Sequence, residues 1–139
     1  KTLFTQMGVS YDFIGTMNFV PAEILSETGN AVEVEAKGLG RVMLDIAQAP
    51  EKAGESPVVG LRPETLTVLY DEQKAPDRET AGVIDEVIYF GDMTYYDVYL
   101  GGTDVEVRLS MRNVPGRPVL EVGDKVRVAW SASALVLFR

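Results

Sequence analysis

An all-β fold is what this sequence predicts, on three observations. Apolar and polar residues alternate with a period of two in segment after segment, as half-buried strands require. Glycine and proline punctuate those segments at short intervals. Helical periodicity is confined to one candidate, Leu3 to Phe13, and a turn near Asn113. Short strands with such punctuation point to small barrels, whose closure removes vulnerable sheet edges.

The elements follow in order. Val32, Val34 and Ala36 alternate with Glu33, Glu35 and Lys37, and the turn Gly38-Leu-Gly40 leads into Arg41 to Ile46, which together read as a hairpin. Gln48 to Ser56 is a loop rich in Pro, Gly, Lys and Glu. A strand is expected over Thr65 to Tyr70, with Leu66, Val68 and Tyr70 on one face. The charged stretch Asp71 to Glu79, which contains Pro76, reads as a linker between two halves, residues 12–70 and 80–139. The second half opens with Gly82 to Phe90, turns at Gly91-Asp92, and continues with Tyr96, Val98 and Leu100 alternating with Tyr95, Asp97 and Tyr99. Gly101-Gly102 is a hairpin turn before Val105, Val107 and Leu109. Pro115-Gly-Arg-Pro118 is a loop, Gly123-Asp124 turns into Lys125 to Trp130, and Ser131 to Ser133 turns into a last strand. Trp130 shares the Val126 and Val128 face and is expected to be buried. Each half thus has an opening strand, a Gly-turned hairpin and a later strand, which predicts two small interleaved OB-like barrels.

Composition narrows the function. The chain has 139 residues, 46% of them hydrophobic, enough for one compact domain or two very small ones. Its 21 acidic and 13 basic residues give a formal net charge of -8. That balance repels phosphate backbones and anionic lipid, so no nucleic-acid partner is expected. Cysteine and histidine are both absent, which removes disulfides, thiol nucleophiles, thiolate metal sites and imidazole chemistry together. The chain opens Lys1-Thr-Leu-Phe-Thr without an initiator Met, which suggests a fragment.

The motifs are few. A phosphate loop would read G-x-x-x-x-G-K-[ST]; Gly54 to Gly60 lacks the Lys and hydroxyl that should follow, so ATP hydrolysis is not expected of this chain. Gly60-Leu-Arg-Pro-Glu64 is the best positive motif: Pro63 fixes one dihedral, pushes Arg62 towards an extended conformation, and holds Arg62 and Glu64 on either side of a rigid step. As residues alone, this is a structural turn with a local ion pair. Phe13, Ile14, Met17 and Phe19 read as core packing, and Asn18 as a candidate donor to a neighbouring loop. Tyr89, Phe90, Tyr95, Tyr96 and Tyr99 would suit base stacking, but Asp85, Glu86, Asp92 and Asp97 surround them, so ordinary cross-strand packing is the better reading. Asp71-Glu72 and Asp85-Glu86 lack calcium-loop spacing. No metal, cofactor-binding or catalytic residue is assigned.

Four phrases, Phe13-Ile-Gly-Thr-Met-Asn-Phe19, Gly60-Leu-Arg-Pro-Glu64, Val122 to Trp130 and Ala134 to Phe138, together resemble the C-terminal tail of ATP-binding-cassette importer ATPases. That tail is the transport-associated OB region of the maltose, sulfate, iron and polyamine importers. By phrase and spacing the chain is most similar to the polyamine and iron branch, with the spermidine/putrescine type foremost. The resemblance implies a regulatory and dimerising piece of a cytoplasmic subunit, peripheral on the inner face of a bacterial membrane. It implies a second copy and transmembrane permease subunits as partners, with ATP and magnesium held by a nucleotide-binding domain outside this chain. It places Gly60, Arg62, Pro63 and Glu64 near the barrel junction, and the self-association face around that step and the second-half hairpin. Lys1 to Ser10 depart from the family's usual helix. Two alternatives stay open: a small-oxyanion sensor and a free-standing single-strand-binding OB module.

Overall fold

The computed structural model describes residues 17–49 and 56–138. The helical candidate Leu3 to Phe13, the first residues of the Phe13–Phe19 phrase and most of the Gln48–Ser56 loop lie outside them. Ten strands are described: β1 (Asn18–Thr28), β2 (Ala31–Ala36), β3 (Gly40–Asp45), β4 (Val58–Leu61), β5 (Thr67–Leu69), β6 (Arg78–Phe90), β7 (Met93–Leu100), β8 (Glu106–Arg112), β9 (Lys125–Trp130) and β10 (Val136–Phe138). Among the described residues, helical structure is limited to 3-10 turns at Ile46–Gln48, Pro63–Thr65 and Ala132–Ala134.

The strands form two antiparallel five-stranded sheets, ordered β10-β4-β1-β2-β3 and β5-β9-β6-β7-β8. The all-β, OB-like reading therefore holds. Its interleaving has a specific form. β5 follows β4 in the chain yet pairs with β9, through Thr67 opposite Ala129 and Leu69 opposite Arg127. β10 follows β9 yet returns to pair with β4, through Val136 opposite Gly60 and Phe138 opposite Val58. Each sheet thus takes its edge strand from the other part of the chain.

Alternation fixes the inward faces. Val32, Val34 and Ala36 on β2 meet Val42 and Leu44 on β3, while Val98, Leu100, Val107 and Leu109 line β7 and β8. These residues, with Leu61, Leu66, Val128, Trp130, Leu135 and Leu137, belong to one connected buried cluster spanning both sheets. Each such side chain taken from water contributes about 1.5–3 kcal/mol.

Two departures from the sequence reading have local causes. β1 is 11 residues long, and a bulge between Ile24 and Ser26 breaks its period-two pattern. It pairs with β4 over Asn18–Pro21 and with β2 from Ala22 onward, so it bends from one partner to the next. The strand expected over Thr65 to Tyr70 is shorter, because Pro63 opens a 3-10 turn that runs through Thr65 before β5 starts at Thr67.

Candidate interaction surface

The Gly60–Glu64 step divides into a buried half and an exposed half. Gly60 lies inside β4, where a Cβ would collide with the Met17 side chain and come within 3.0 Å of the Phe138 ring. A larger residue would have to push the flexible Met17 side chain aside and crowd the Phe138 ring. Arg62 is extended (φ -82°, ψ 146°), as its position before proline requires. Pro63 is buried, while Arg62, Glu64 and Thr65 are exposed. The Thr65 hydroxyl and N–H both donate to the Arg62 carbonyl, at 2.7 and 3.0 Å, and secure the turn. The turn packs against β8.

A second junction surrounds Asn18. Its Nδ2 donates to the Arg108 carbonyl (2.9 Å) and its Oδ1 accepts from the Arg108 N–H (2.8 Å). A side-chain amide here mimics a strand partner and ties β1 to β8. The Arg108 guanidinium, in turn, grips Asp97 on β7 with Nε and Nη2 at 2.8 and 3.1 Å. Asp97 is buried, and the bond to it holds the guanidinium above its ordinary pKa, against the opposing effect of burial. Arg108 also lies 5.9 Å from the Tyr95 ring centroid. Asn18 reaches a strand backbone rather than a loop; its position at the start of β1 is the sequence clue.

The barrels are joined again at the β2–β3 turn. Thr80 donates to the Gly38 carbonyl (2.8 Å), and Lys37 pairs with Asp104 (2.9 Å), an exposed contact that lowers the Asp104 pKa. A Cβ on Gly38 (φ +89°) would sit 2.8 Å from Leu100 Cβ, so the close approach needs glycine twice over.

The aromatic group splits. Tyr96 is buried, and burial, then the neighbouring Tyr89, raise its pKa while the Leu120 backbone and the nearby Arg117 oppose the rise. Tyr70 behaves similarly: burial, then Tyr96, raise its pKa, and Arg117, 5.5 Å from its ring, lowers it. Tyr89 and Phe90, by contrast, are 62% and 70% exposed at the end of the β6–β7 hairpin. Cross-strand packing therefore buries Tyr96 but leaves this pair exposed, although the Phe90 ring lies near that of Tyr95 on β7. Two consecutive aromatics beside a Gly-Asp turn cannot both face one core, which is the sequence signal for their exposure. Asp85 is the bulged residue of β6, between Ile84 and Glu86, and both acids are exposed. Among the described residues, no three acidic side chains gather into a metal-sized cluster.

The model of the TOBE domain matches residues 59–138, from β4 through β10. The chain belongs to the TOBE domain family. It is similar to spermidine/putrescine import ATP-binding protein PotA of Nitrosomonas europaea, 36% identical over 127 residues that cover 88% of this chain and 34% of the relative. It is also similar to PotA 2 of Pseudomonas aeruginosa, 33% identical over 130 residues, covering 92% of this chain and 36% of the relative. The TOBE chain spans about a third of the length of the curated relatives it matches. Among solved structures, the cytoplasmic molybdate-binding protein ModG with molybdate bound superposes with a TM-score of 0.60, covering 87% of this chain and 93% of that one. At 13% identity, that likeness is one of fold alone.

Proposed function

We propose that this chain is the regulatory and dimerising region of the ATP-binding subunit of a bacterial importer, with polyamines of the spermidine and putrescine class as cargo. The observation that carries the reading is the match to PotA across 127 residues at 36% identity, which covers 88% of this chain. The sequence lacks a phosphate loop, so ATP binding and hydrolysis would fall to another part of the intact polypeptide. The subunit would work in the cytoplasm against transmembrane permease subunits. A second copy would pair with it, weakly for this region alone, because tethering to paired ATP-binding portions raises the effective concentration of the contact.

The geometry suits a body that moves as one piece. Exchanged edge strands, the Asn18–Arg108 bonds and the Gly38 contact leave little freedom between the two barrels. A stiff double barrel can pass a displacement from one partner to another without absorbing it.

The test has two steps. The full reading frame should encode a G-x-x-x-x-G-K-[ST] segment outside this region. Cells lacking the gene should then lose uptake of labelled spermidine or putrescine; unchanged uptake of both would sink the polyamine assignment. A small-oxyanion sensor has only the fold shared with ModG behind it. Calorimetric titration with molybdate and with spermidine separates those two readings. A salt-dependent gel shift tests the single-strand-binding reading, which the net charge of -8 opposes.

A further inference from the structure

The end of the β6–β7 hairpin is built unlike an ordinary turn. Phe90 stands opposite Met93 and, with Ile88 and Tyr95, occupies the outer face of the sheet. Its ring lies 6.3 Å from that of Tyr95. Tyr89 takes the other face, opposite Thr94. The two large side chains thus project to both sides of a tip that is held fixed. Asn113, just beyond β8, donates its N–H to the Asp92 carbonyl (2.8 Å) and its side-chain amide to the Gly91 carbonyl (3.1 Å). The Thr94 hydroxyl bonds the Asn113 side chain, and Arg112 pairs with Asp92 at 3.2 Å. Val114, next along the chain, is exposed as well. Rigid aromatics lose little conformational entropy on contact and serve as anchors in interfaces.

We propose that the Tyr89–Phe90 tip is a docking key that seats on the ATP-binding portion of the same intact subunit. The proposal rests on the reading of this chain as part of an importer ATP-binding subunit. Area favours an occupant joined to this chain. Two aromatic side chains bury roughly 150–250 Å² each, well short of the ~800 Å² per partner that a stable free-standing interface needs. A covalently attached partner needs far less, because its effective concentration is high. The relatives supply such a partner: about two-thirds of the N. europaea protein lies outside the matched region.

Hydroxyl-radical footprinting of the intact subunit, at concentrations where it is monomeric, reads the contact directly. Tyr89 and Phe90 should be modified several-fold more slowly there than in the 139-residue chain, whose fold is checked by the emission of Trp130. Phe90→Ser in the intact subunit should restore the modification of Tyr89 while leaving the circular dichroism spectrum unchanged. Equal rates in the two proteins, protection that arises only with self-association, or protection that survives Phe90→Ser would each overturn the docking. An intact reading frame without an ATP-binding portion overturns the functional reading and the docking together; a frame that has one, with an unprotected tip, overturns the docking alone.

Discussion

Arg78 lies over the face of Trp130, its guanidinium carbon 4.9 Å from the ring centroid, and its Nη2 also donates to the Arg41 carbonyl at 2.7 Å. One side chain on β6 thereby covers the largest aromatic of its own sheet and clasps an edge strand of the other. Trp130 is 3% exposed, as its place on the Val126 and Val128 face predicts, and its indole N–H is buried without a hydrogen-bond partner. Trp130→Ala should cost about 3–5 kcal/mol. Trp130→Phe should cost much less, because it keeps most of the ring and removes the unpaired donor. Arg78→Met should cost about 1–3 kcal/mol, because it removes both the cation–π contact and the hydrogen bond to the Arg41 carbonyl. Urea midpoints followed by the emission of this single tryptophan check the Arg78 variant, and circular dichroism checks the two that remove it. A Trp130→Phe loss equal to that of Trp130→Ala would contradict the account.

Asn18→Ala should cost about 1–3 kcal/mol, since it removes two hydrogen bonds and leaves the Arg108 backbone groups to find others. Asn18→Asp should not rescue the loss, because a carboxylate can accept from the Arg108 N–H but faces its carbonyl without a donor. Hydrogen exchange locates the effect: the Arg108 amide should lose protection in both variants. An unchanged amide would mean that the bridge contributes nothing to the β1–β8 contact.

Within the Gly60–Glu64 step the two halves should respond unequally. Gly60→Ala should destabilise by about 1 kcal/mol, because the flexible Met17 side chain can swing aside while the Phe138 ring must give way. Glu64→Ala, at an exposed site, should stay within about 0.5 kcal/mol of the parent. Thermal or urea denaturation of the pair decides the matter, and a neutral Gly60→Ala would refute the packing.

Alkaline pH should weaken the fold through Tyr70 and Tyr96. Burial holds both phenols above their ordinary range, so the folded state keeps its protons longer than the unfolded state. Stability is then fully present below the ordinary tyrosine value of about 10 and falls as pH rises past it. Denaturation midpoints measured across that range should show the decline, and an ultraviolet titration should show late-ionising tyrosines. The two variants should part company at neutral pH. Tyr70→Phe should be neutral or stabilising, because the hydroxyl is buried without a partner. Tyr96→Phe should be the costlier change, because the Leu120 backbone lies near its hydroxyl whereas nothing partners that of Tyr70.

Much of this fold is legible in the order of its residues. Val32 to Ala36, Val105 to Leu109 and Lys125 to Trp130 announce their strands, because one face meets the core and the other meets water. β1 is harder to read, since its bulge shifts the register within the strand. The pairing of β5 with β9 and of β10 with β4 is not readable residue by residue, because strand partners far apart in the chain leave no local pattern. The same limit hides the side-chain bridge from Asn18 to a backbone 90 residues away. The exposed Tyr89–Phe90 pair does leave a trace, as adjacent aromatics in a period-two strand.

The exchanged edge strands make the two parts of this chain poor candidates for separate expression. A polypeptide ending in the Asp71–Asp77 connection would lack β10, the strand that covers Gly60, and its complement would lack β5. Each would display a raw strand edge and an opened core. Mixed together, the two pieces hold every strand that both sheets need, and each supplies the strand missing from the other. A cleaved backbone at that connection should therefore be mended by association, as a split protein that reassembles from its fragments.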